Sequence, residues 1–413
     1  MANTRIAVIG AGIGGLTAAV ALAREGIHCE IFERKPTLPG TGGGIQLSPN
    51  ATAVLHRLGL GPALADAIRP VARELRRWRD NKVIGRVELG QAAELRYGAP
   101  YYTMRRATLC RALFEAARRA HGPATVQFGR RCIGIQDRGD GVVIQLDDGS
   151  RRHADAVVGA DGINSFVRGL LHPSRAVYSG HAIYRAMIPA ESAPWLSAPA
   201  RVMVWLGPGR HCVSYPVDGG RSLNLVATVP APLPPSAARE INGKDLLSAY
   251  AGWHPAVRGL FAVADRFDRA ALFERPALPS WHRGRVVVLG DAAHPMLPFI
   301  AQGAAQAIED ADQLARYIHE PGGFARYENA RRARVGRVVA AARAGLRDHH
   351  LADGPEQRLR DSVIAEVGLP EMDWLYRDGS RRGGSRQDGL RQGGSGQDGS
   401  GQGDPRRGAT VSR

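Results

Sequence analysis

The fold of this 413-residue chain is decided by the stretch Thr4-Arg-Ile-Ala-Val-Ile-Gly10-Ala-Gly12-Ile-Gly14-Gly15. Its apolar, β-branched first half runs directly into glycines spaced as G-x-G-x-x-G. Residues 16–24 then follow at helical period, and residues 28–33 return to an apolar strand pattern that ends at Glu33. The periodicity predicts strand, helix and strand in succession, with the glycines in the first turn. This is the β-α-β unit of a Rossmann-type nucleotide-binding domain.

The glycines of this turn have separate physical tasks. Gly10 permits the tight turn, Gly12 lets backbone N–H groups approach a pyrophosphate at the helix N-terminus, and Gly15 allows close packing of helix and strand. Glu33 stands at the spacing of an acid that accepts hydrogen bonds from an adenosine ribose. The turn alone does not distinguish FAD from NAD. The predicted dinucleotide site consists of Gly10, Gly12, Gly14, Gly15, Glu33 and Arg34.

Two later apolar runs also end in nucleotide-type motifs. Residues 156–160 lead into Asp161-Gly162, and residues 285–289 lead into Gly290-Asp291. Between them, residues 178–228 alternate apolar and polar positions, which predicts an antiparallel sheet inserted between nucleotide-binding segments. Helical patterns follow over residues 303–317 and 324–349.

These motifs resemble the D-G and G-D motifs of the group A flavoprotein monooxygenases, the family of salicylate and para-hydroxybenzoate hydroxylases. The resemblance covers approximately residues 4–345. It implies an α/β fold, in which a Rossmann-like FAD-binding domain carries an inserted antiparallel-sheet substrate domain and C-terminal helices. The cofactor would be noncovalent FAD, with NADH or NADPH as co-substrate.

The chain is accordingly expected to divide into seven segments. The last segment, residues 379–413, is rich in Gly, Ser, Gln, Arg and Asp. It cannot bury enough apolar surface to offset its ordering entropy and is expected to be disordered. The FAD-binding segments are 1–75, 101–177 with the D-G motif, and 276–350 with the G-D motif and C-terminal helices; the substrate segments are 76–100 and 178–275; a C-terminal segment, 351–378, and the tail, 379–413, follow.

The resemblance also implies roles for single residues. Asp291 would hydrogen-bond the flavin ribityl chain, while Asp161 and Gly162 would help to hold FAD and serve the NAD(P)H reaction. Arg106 matches an arginine that approaches the ribityl and phosphate region, and Arg105 stays open as the alternative. The loop near the flavin ring would contain Gly43, Gly44, Ile45 and Gln46.

The segment Pro298-Phe-Ile-Ala-Gln302-Gly303-Ala304 resembles the part of the family that runs beneath the isoalloxazine. A glycine-containing loop that opens a helix points unpaired N–H donors and a partial positive charge ahead of it. Here these donors would face the N1/C2=O edge, where negative charge gathers on a reduced flavin. The alternative is an ordinary loop before an amphipathic helix.

Candidate catalytic residues lie on the predicted inserted sheet. His211 and Tyr215 are four residues apart, so in a strand both project from the same face. Together they can deprotonate a ring hydroxyl and orient the ring. A packed histidine without a catalytic role is the alternative for His211. Arg185 either faces a substrate carboxylate or is solvated, and His294 is expected to be structural.

Composition limits the other classes of function. The net charge is +16, but the arginines that supply it are spread along the chain and match no nucleic-acid-binding motif. Four scattered cysteines without a C-x-x-C pair signal neither a metal site nor a disulfide framework. No apolar run reaches the ~20 residues that cross a bilayer. We expect a cytoplasmic monomer or homodimer without nucleic-acid partners or stable membrane insertion.

The predicted reaction is hydroxylation of a small aromatic substrate, phenolic or an aromatic acid, with NAD(P)H and O2 through a C4a-hydroperoxyflavin. The ring itself, the preference for NADH or NADPH and decarboxylation during hydroxylation stay open. Two alternatives belong to other classes. One is a flavin-dependent oxidase or dehydrogenase, and the other is a non-catalytic flavin-binding regulator, which only the basic tail favours.

Overall fold

The computed structural model describes residues 4–38, 42–196, 198–232, 234, 243–367 and 373–377. The strands are β1 (Arg5–Ile9), β2 (His28–Glu33), β3 (Gly44–Leu47), β4 (Ala72–Arg77), β5 (Val83–Glu88), β6 (Tyr102–Arg105), β7 (Val126–Phe128), β8 (Cys132–Asp137), β9 (Val142–Leu146), β10 (Arg151–Ala154), β11 (Ala156–Gly159), β12 (Val177–Pro189), β13 (Arg201–Gly207), β14 (Arg210–Val217), β15 (Ser222–Pro230), β16 (Asp268–Glu274), β17 (His282–Arg283) and β18 (Val286–Val288). The helices are α1 (Ile13–Arg24), α2 (Pro49–Arg57), α3 (Gly90–Tyr97), α4 (Arg106–His121), α5 (Phe166–Leu171), α6 (Gly243–Ala249), α7 (Pro255–Ala262), α8 (Gly303–Tyr317), α9 (Gly323–Asp348), α10 (Pro355–Val367) and α11 (Asp373–Tyr376).

A six-stranded sheet, ordered β17-β18-β11-β1-β2-β7, forms the first layer. Its strands pair in parallel except β17, which is antiparallel at one edge. β1 is buried from Ile6 to Ile9 because helices cover both faces of a parallel sheet, which explains its unbroken apolar sequence. The chain moves from β1 to β2 on one side and to β11 on the other. Open parallel sheets bind ligands at the carboxyl ends of strands at such a reversal.

A seven-stranded sheet, ordered β16-β12-β15-β14-β13-β4-β5, forms the second layer. Neighbouring strands are antiparallel except β13 and β4, which are parallel. Alternation along the strands gives the sheet two different faces. One face packs against α6 and α7, with Trp205, Cys212 and Leu225 meeting Tyr250 and Phe261. The other face carries His211, Val213 and Tyr215 and packs toward α9, α11 and residues 296–300.

The C-terminal helices join the two layers. α8 packs on α1, α2 and α9, and α9 also contacts the 3₁₀ turn Pro298–Ile300. Arg334 of α9 donates hydrogen bonds to the carbonyls of Trp374 and Leu375, at 2.6 and 2.7 Å, and so holds α11 in place. Two small sheets complete the fold, β10-β9-β8 and β3-β6.

The predicted fold class is confirmed, with the Rossmann-type unit, the large, mostly antiparallel sheet and the C-terminal helices all present. The helical patterns of residues 303–317 and 324–349 correspond to α8 and α9. The segment boundaries stay a prediction; the large sheet starts at Ala72, within the predicted first FAD-binding segment. The predicted disordered tail, 379–413, lies outside the described residues.

Candidate active site

A cavity of about 430 Å³ opens at the carboxyl ends of β1, β2 and β11. Its lining contains five cationic side chains and two acidic ones. This excess of positive charge suits a pyrophosphate. The predicted cofactor residues that line it are Gly10, Gly12, Glu33, Arg34, Arg106, Asp161 and Gly162. The others, Gly14, Gly15, Gly44, Ile45, Asp291, Pro298, Gln302, Gly303 and Ala304, lie outside this lining.

The glycine turn leaves space where a phosphate needs it. Gly10 has φ +106°, a conformation that other residues rarely adopt. A Cβ on Gly15 would lie 2.0 Å from the Gly10 carbonyl oxygen, and one on Gly14 would lie 2.7 Å from Leu289 Cδ1. Apart from its own chain neighbours, no atom of the described residues lies within 4 Å of a Cβ placed on Gly12. Gly14 and Gly15 therefore serve helix packing, and Gly12 faces open space at the start of α1.

Glu33 ties the end of β2 to the glycine turn. Its carboxylate accepts hydrogen bonds from the backbone amides of Ala11, at 2.8 Å, and Lys35, at 2.9 Å. The residue still borders the cavity, next to Arg34. An acid at this position can accept hydrogen bonds from the ribose hydroxyls. The open space at Gly12, the acid and the cations together fit the adenosine diphosphate half of FAD.

The acid of the D-G motif caps a helix. Asp161 accepts hydrogen bonds from the amides of Phe166, at 2.7 Å, and Val167, at 3.2 Å, and from the Ser165 hydroxyl. Burial raises the pKa of Asp161. Gly162 follows with φ +80°. The side chain of Asp161 thus fixes the start of α5, while the motif borders the cavity.

Arg168 of α5 joins the D-G motif to the G-D motif. This fully buried guanidinium donates hydrogen bonds to the carbonyls of Ala292, at 3.2 Å, and Ala293, at 2.8 Å. Burial, with a contribution from Arg275, lowers the pKa of Arg168 to about 10. The turn that carries Asp291 is therefore held from the D-G side.

The same turn is clamped from α8. Asp310 accepts hydrogen bonds from the Gly290 amide, at 2.9 Å, and His294 Nε2, at 2.5 Å, while Arg331 Nε donates to its other oxygen at 2.7 Å. Burial raises the pKa of Asp310, but the charges of His294 and Arg331 outweigh it and lower the pKa to about 2. His294 is thus hydrogen-bonded to a buried acid, and its structural role stays a prediction.

Asp291 remains available for a ligand. Many protein atoms surround Asp291, so desolvation raises its pKa. The residue is nevertheless exposed to solvent. Both observations fit a carboxyl group that lines an open recess. Arg106 contributes a positive charge to it, and a Cβ on Gly303 would lie 3.9 Å from its Oδ1. Asp291, Arg106 and the start of α8 therefore converge, and they fit the ribityl half of FAD.

The segment before α8 is held by its side chains. Gln302 Nε2 donates to Ser48 Oγ at 2.8 Å, and Gln302 Oε1 accepts from Asn50 at 3.2 Å. The side chain of Gln302 thus binds α2, although sequence analysis placed this residue at the flavin. The first backbone hydrogen bond of the helix comes from the amide of Gln306, so the amides of Gly303 and Ala304 precede it. Pro298 is exposed at the start of the turn.

The loop at Gly44 touches the large sheet. The Gly44 amide donates to Asn224 Oδ1 at 2.5 Å, and a Cβ on Gly44 would lie 2.7 Å from Tyr215 Cε2. Glycine is therefore required by close approach. Ile45 packs partly buried against the nucleotide-binding core. Arg105 forms an ion pair with Asp218, whereas Arg106 borders the cavity.

His211 lies in a group of four histidines, which we call the histidine cluster. His211 Nδ1 and His350 Nε2 are joined by a hydrogen bond of 2.8 Å, and Phe299 lies edge-on to His211 at 5.3 Å between ring centroids. Burial and the neighbouring histidines hold the pKa of His211 well below its ordinary value. The ring is therefore neutral near pH 7. The histidine cluster consists of His181, His211, His349 and His350.

Tyr215 lies on the same face, one register row from Arg185. Asn224 is its direct partner on β15. Arg185 pairs with Val226, which is the next residue of β15 on this same face. Burial raises the pKa of Tyr215, partly offset by the charge of Arg185. Asn224 Nδ2 is buried and has no hydrogen-bond partner among the described residues. This face therefore presents a cation, a phenol and an unused amide donor.

Two negative findings concern the described ranges alone. No helix in them is long and apolar enough to cross a membrane. They also contain no group of three or more His, Cys, Asp or Glu side chains arranged to hold a metal ion.

Sequence reasoning missed the residues that act through another element. The acid at position 310 carries a signal, because a charge on the apolar side of a predicted helix needs a buried partner. The tandem histidines after α9 are also visible in the sequence. Nothing local marks an asparagine in a β-rich stretch. The missed residues are Arg168, Asn224, Asp310, Arg331 and His350.

Comparisons with known proteins agree with this geometry. The family described as FAD binding domain matches residues 3–342. The chain is 41% identical over 381 residues to 3-amino-4-hydroxybenzoate 2-monooxygenase of Streptomyces platensis, covering 90% of this chain and 95% of the relative. It is 37% identical over 348 residues to 6-hydroxynicotinate 3-monooxygenase of Pseudomonas fluorescens, covering 81% and 89%. HpxO of Klebsiella pneumoniae, solved with FAD and uric acid, superposes with a TM-score of 0.78 at 26% identity, covering 91% and 95%.

The family match covers most of the chain, and the two curated relatives, at 41% and 37% identity, are both aromatic-ring monooxygenases. The predicted family, the FAD cofactor and the class of reaction are confirmed. The chain belongs to the FAD-dependent aromatic monooxygenases.

Proposed function

We propose that the chain hydroxylates an aminohydroxybenzoate, with 3-amino-4-hydroxybenzoate as the first candidate. The observation that carries this proposal is the face of the large sheet on which Arg185, Tyr215, Asn224 and neutral His211 stand together. A relative at 41% identity is named for a ring with a carboxylate, an amine and a hydroxyl. One cation and several neutral polar groups complement such a ring.

The cofactor residues divide into two groups in this proposal. The glycine turn, Glu33 and Arg34 hold the adenosine diphosphate half, and Asp291 with Arg106 holds the ribityl half. FAD, once reduced by NADH or NADPH, supplies the activation of O2 and the transfer of one oxygen atom to the ring. The protein contributes positioning, electrostatics and exclusion of water.

Arg185 is proposed to bind the substrate carboxylate. Its Cδ lies 3.5 Å from a Cβ built on Gly43, so the side chain stands beside the loop assigned to the flavin ring. Burial and the charge of Arg106 lower the pKa of Arg185, which indicates a cation that gains from a bound anion. Tyr215 and Asn224 would fix the ring orientation through the phenol and the free amide hydrogens.

His211 is proposed to accept a proton from the ring substituent that donates electrons. In 3-amino-4-hydroxybenzoate, carbon 2 is ortho to the amine and meta to the hydroxyl, so the amine is the effective donor. As oxygen adds to carbon 2, positive charge develops on that nitrogen, and loss of one N–H proton gives a neutral imine. The hydrogen of carbon 2 then leaves and a proton returns to the nitrogen as the ring regains its aromaticity. A neutral imidazole can accept the N–H proton. For a phenolic substrate attacked ortho or para to its hydroxyl, the same ring would take the O–H proton.

The test is an assay of purified holoenzyme for NAD(P)H oxidation with a matched set of rings. We expect strong stimulation by 3-amino-4-hydroxybenzoate and a product heavier by one oxygen atom. Removing the carboxylate, as in 2-aminophenol, should weaken binding, and 6-hydroxynicotinate tests the ring of the second relative. Oxidation that no ring stimulates, or that yields only H2O2, would reject the proposal.

The setting of the enzyme is proposed separately. All four cysteines are free and buried, as is usual in a reducing compartment, which supports a cytoplasmic location. A monomer or homodimer stays part of the proposal. Cell fractionation and light scattering test these two points. We also propose the predicted segments 1–75, 101–177 and 276–350 as FAD-binding, and 76–100 and 178–275 as substrate-binding.

A further inference from the structure

The histidine cluster connects a buried ring with the protein surface. His211 is 4% exposed, whereas His181 and His350 are both partly exposed. His350 follows the end of α9, and its carbonyl accepts a hydrogen bond from the Gly209 amide at 2.9 Å. This bond holds His350 beside β14. One further side chain therefore separates the proposed base from the partly exposed part of the cluster.

One ring of the cluster is hydrogen-bonded to His211. His350 Nε2 lies 2.8 Å from His211 Nδ1. His181 stacks on His350 with centroids 5.0 Å apart, and His349 meets His211 edge-on at 5.3 Å. His350 Nδ1 is buried and has no hydrogen-bond partner in the described part of the chain. Nε2 of His350 is thus hydrogen-bonded to His211, and Nδ1 of His350 has no partner among the described residues.

We propose that His350 is a positioning residue that relays the substrate proton from His211 to water. The inference rests on the proposed role of His211. The substrate proton binds His211 Nε2, the hydrogen on His211 Nδ1 moves to His350 Nε2, and the hydrogen on His350 Nδ1 passes to a water molecule bound at that buried, unpartnered atom. Each ring changes from one neutral tautomer to the other. No oxidation or reduction takes place.

The surroundings of His350 favour passage over storage of the proton. Burial and the charges of His181, His349 and Arg210 lower the pKa of His350 to about 3. An imidazolium would therefore be short-lived on this ring, and a proton that arrives must leave. The titratable and charged groups around the relay are His181 from β12, His211 and Arg210 from β14, and His349, which itself faces Arg73 from β4 and Arg360 from α10.

The test replaces His350 by glutamine in the holoenzyme. His350→Gln keeps a hydrogen-bonding side chain but cannot relay a proton, so FAD content and substrate affinity should stay as in the wild type. Hydroxylation should slow at least ~10-fold, since proton-transfer groups contribute roughly 10²–10⁴-fold. Its rate should also become dependent on buffer concentration, because buffer would replace the ring. The matched control is His319→Gln, which replaces an exposed histidine outside the histidine cluster and should behave as the wild type.

A second variant keeps the test decisive if glutamine disturbs the fold. His350→Ala leaves a partly exposed space, and added imidazole should restore hydroxylation by at least ~10-fold if the ring relays a proton. A wild-type rate without buffer dependence in His350→Gln would overturn the relay, as would no rescue of an FAD-loaded His350→Ala. If His211→Ala lowers product formation while His350→Gln does not, only the relay fails. If His211→Ala leaves product formation unchanged, the proposed role of His211 fails.

Discussion

The cavity at the glycine turn and the histidine-bearing face of the large sheet are built in different ways. The cavity is open and is bordered by backbone amides and permanent charges, among them Glu33, Arg34 and Arg106. The sheet face is buried, and His211 and Tyr215 are both neutral there. Fixed charges and amides bind a charged cofactor without changing state, whereas neutral titratable groups can move protons. Changes in the first region should therefore remove FAD, and changes in the second should separate FAD reduction from hydroxylation.

The largest effect on FAD binding is expected from the glycine turn. Gly15→Ala places a Cβ 2.0 Å from the Gly10 carbonyl oxygen, so α1 must shift and the apoprotein should lose ~1–3 kcal/mol of stability together with FAD. In Gly12→Ala the Cβ meets no described atom within 4 Å apart from its own chain neighbours, so apoprotein stability should be unchanged while FAD binding falls. Thermal unfolding of both apoproteins and flavin absorbance check this. Stoichiometric FAD in Gly12→Ala would contradict the pyrophosphate assignment.

The second prediction concerns the opposite region. His211→Gln should retain FAD and oxidise NAD(P)H, but the rate of product formation should fall about 10²-fold or more because the proton acceptor is lost. The ratio of hydroxylated product to NAD(P)H consumed measures this, with released H2O2 as the complement. A wild-type ratio would return His211 to the role of a packed histidine.

The third prediction tests the clamp beneath Asp291. The pKa of Asp310 falls from 3.8 to about 2 in the folded protein, so its stabilisation is present above pH ~4 and is lost as the pH falls toward 2. Asp310→Asn should cost ~3–5 kcal/mol near neutral pH, as for a broken buried ion pair, and flatten this acid dependence.

An acid just after the same helix supplies the control. Glu320 pairs with Arg326 at 3.2 Å, and their side chains are 35% and 58% exposed, so Glu320→Gln should cost only ~0–1 kcal/mol. Urea unfolding between neutral and acid pH compares the two variants. Equal losses of stability would show that Asp310 is no clamp, and unchanged FAD affinity in Asp310→Asn would disconnect it from Asp291.

The smallest effect is expected at the start of α8. Ala304→Pro removes one free N–H, and the preceding Gly303 has no Cβ to clash with the proline ring. Helix-terminal effects of ~0.3–2 kcal/mol correspond to a fall of up to about 40 mV in the flavin midpoint potential. Ala304→Gly keeps the N–H and serves as the control. Equal midpoints in an anaerobic titration would place α8 away from the flavin.

The two regions also differ in how far sequence could anticipate them. The turn at Gly10–Gly15 and the strand ends at Asp161 and Asp291 are local patterns, since backbone geometry demands particular residues at fixed spacing. The contacts of His211 with His350, 139 positions away, and of Gly44 with Asn224, 180 positions away, depend on the packing of two layers. Periodicity predicts which face a side chain takes, but it does not say what that face meets.

The most direct test is a reaction of wild-type holoenzyme with NADPH, 3-amino-4-hydroxybenzoate and O2 carrying a heavy oxygen isotope. We expect one labelled oxygen atom in each product molecule, with product formed in near equality to NADPH oxidised. Unlabelled substrate recovered beside stoichiometric H2O2, whichever aromatic ring is supplied, would show an oxidase and contradict the assignment of this chain as an aromatic hydroxylase.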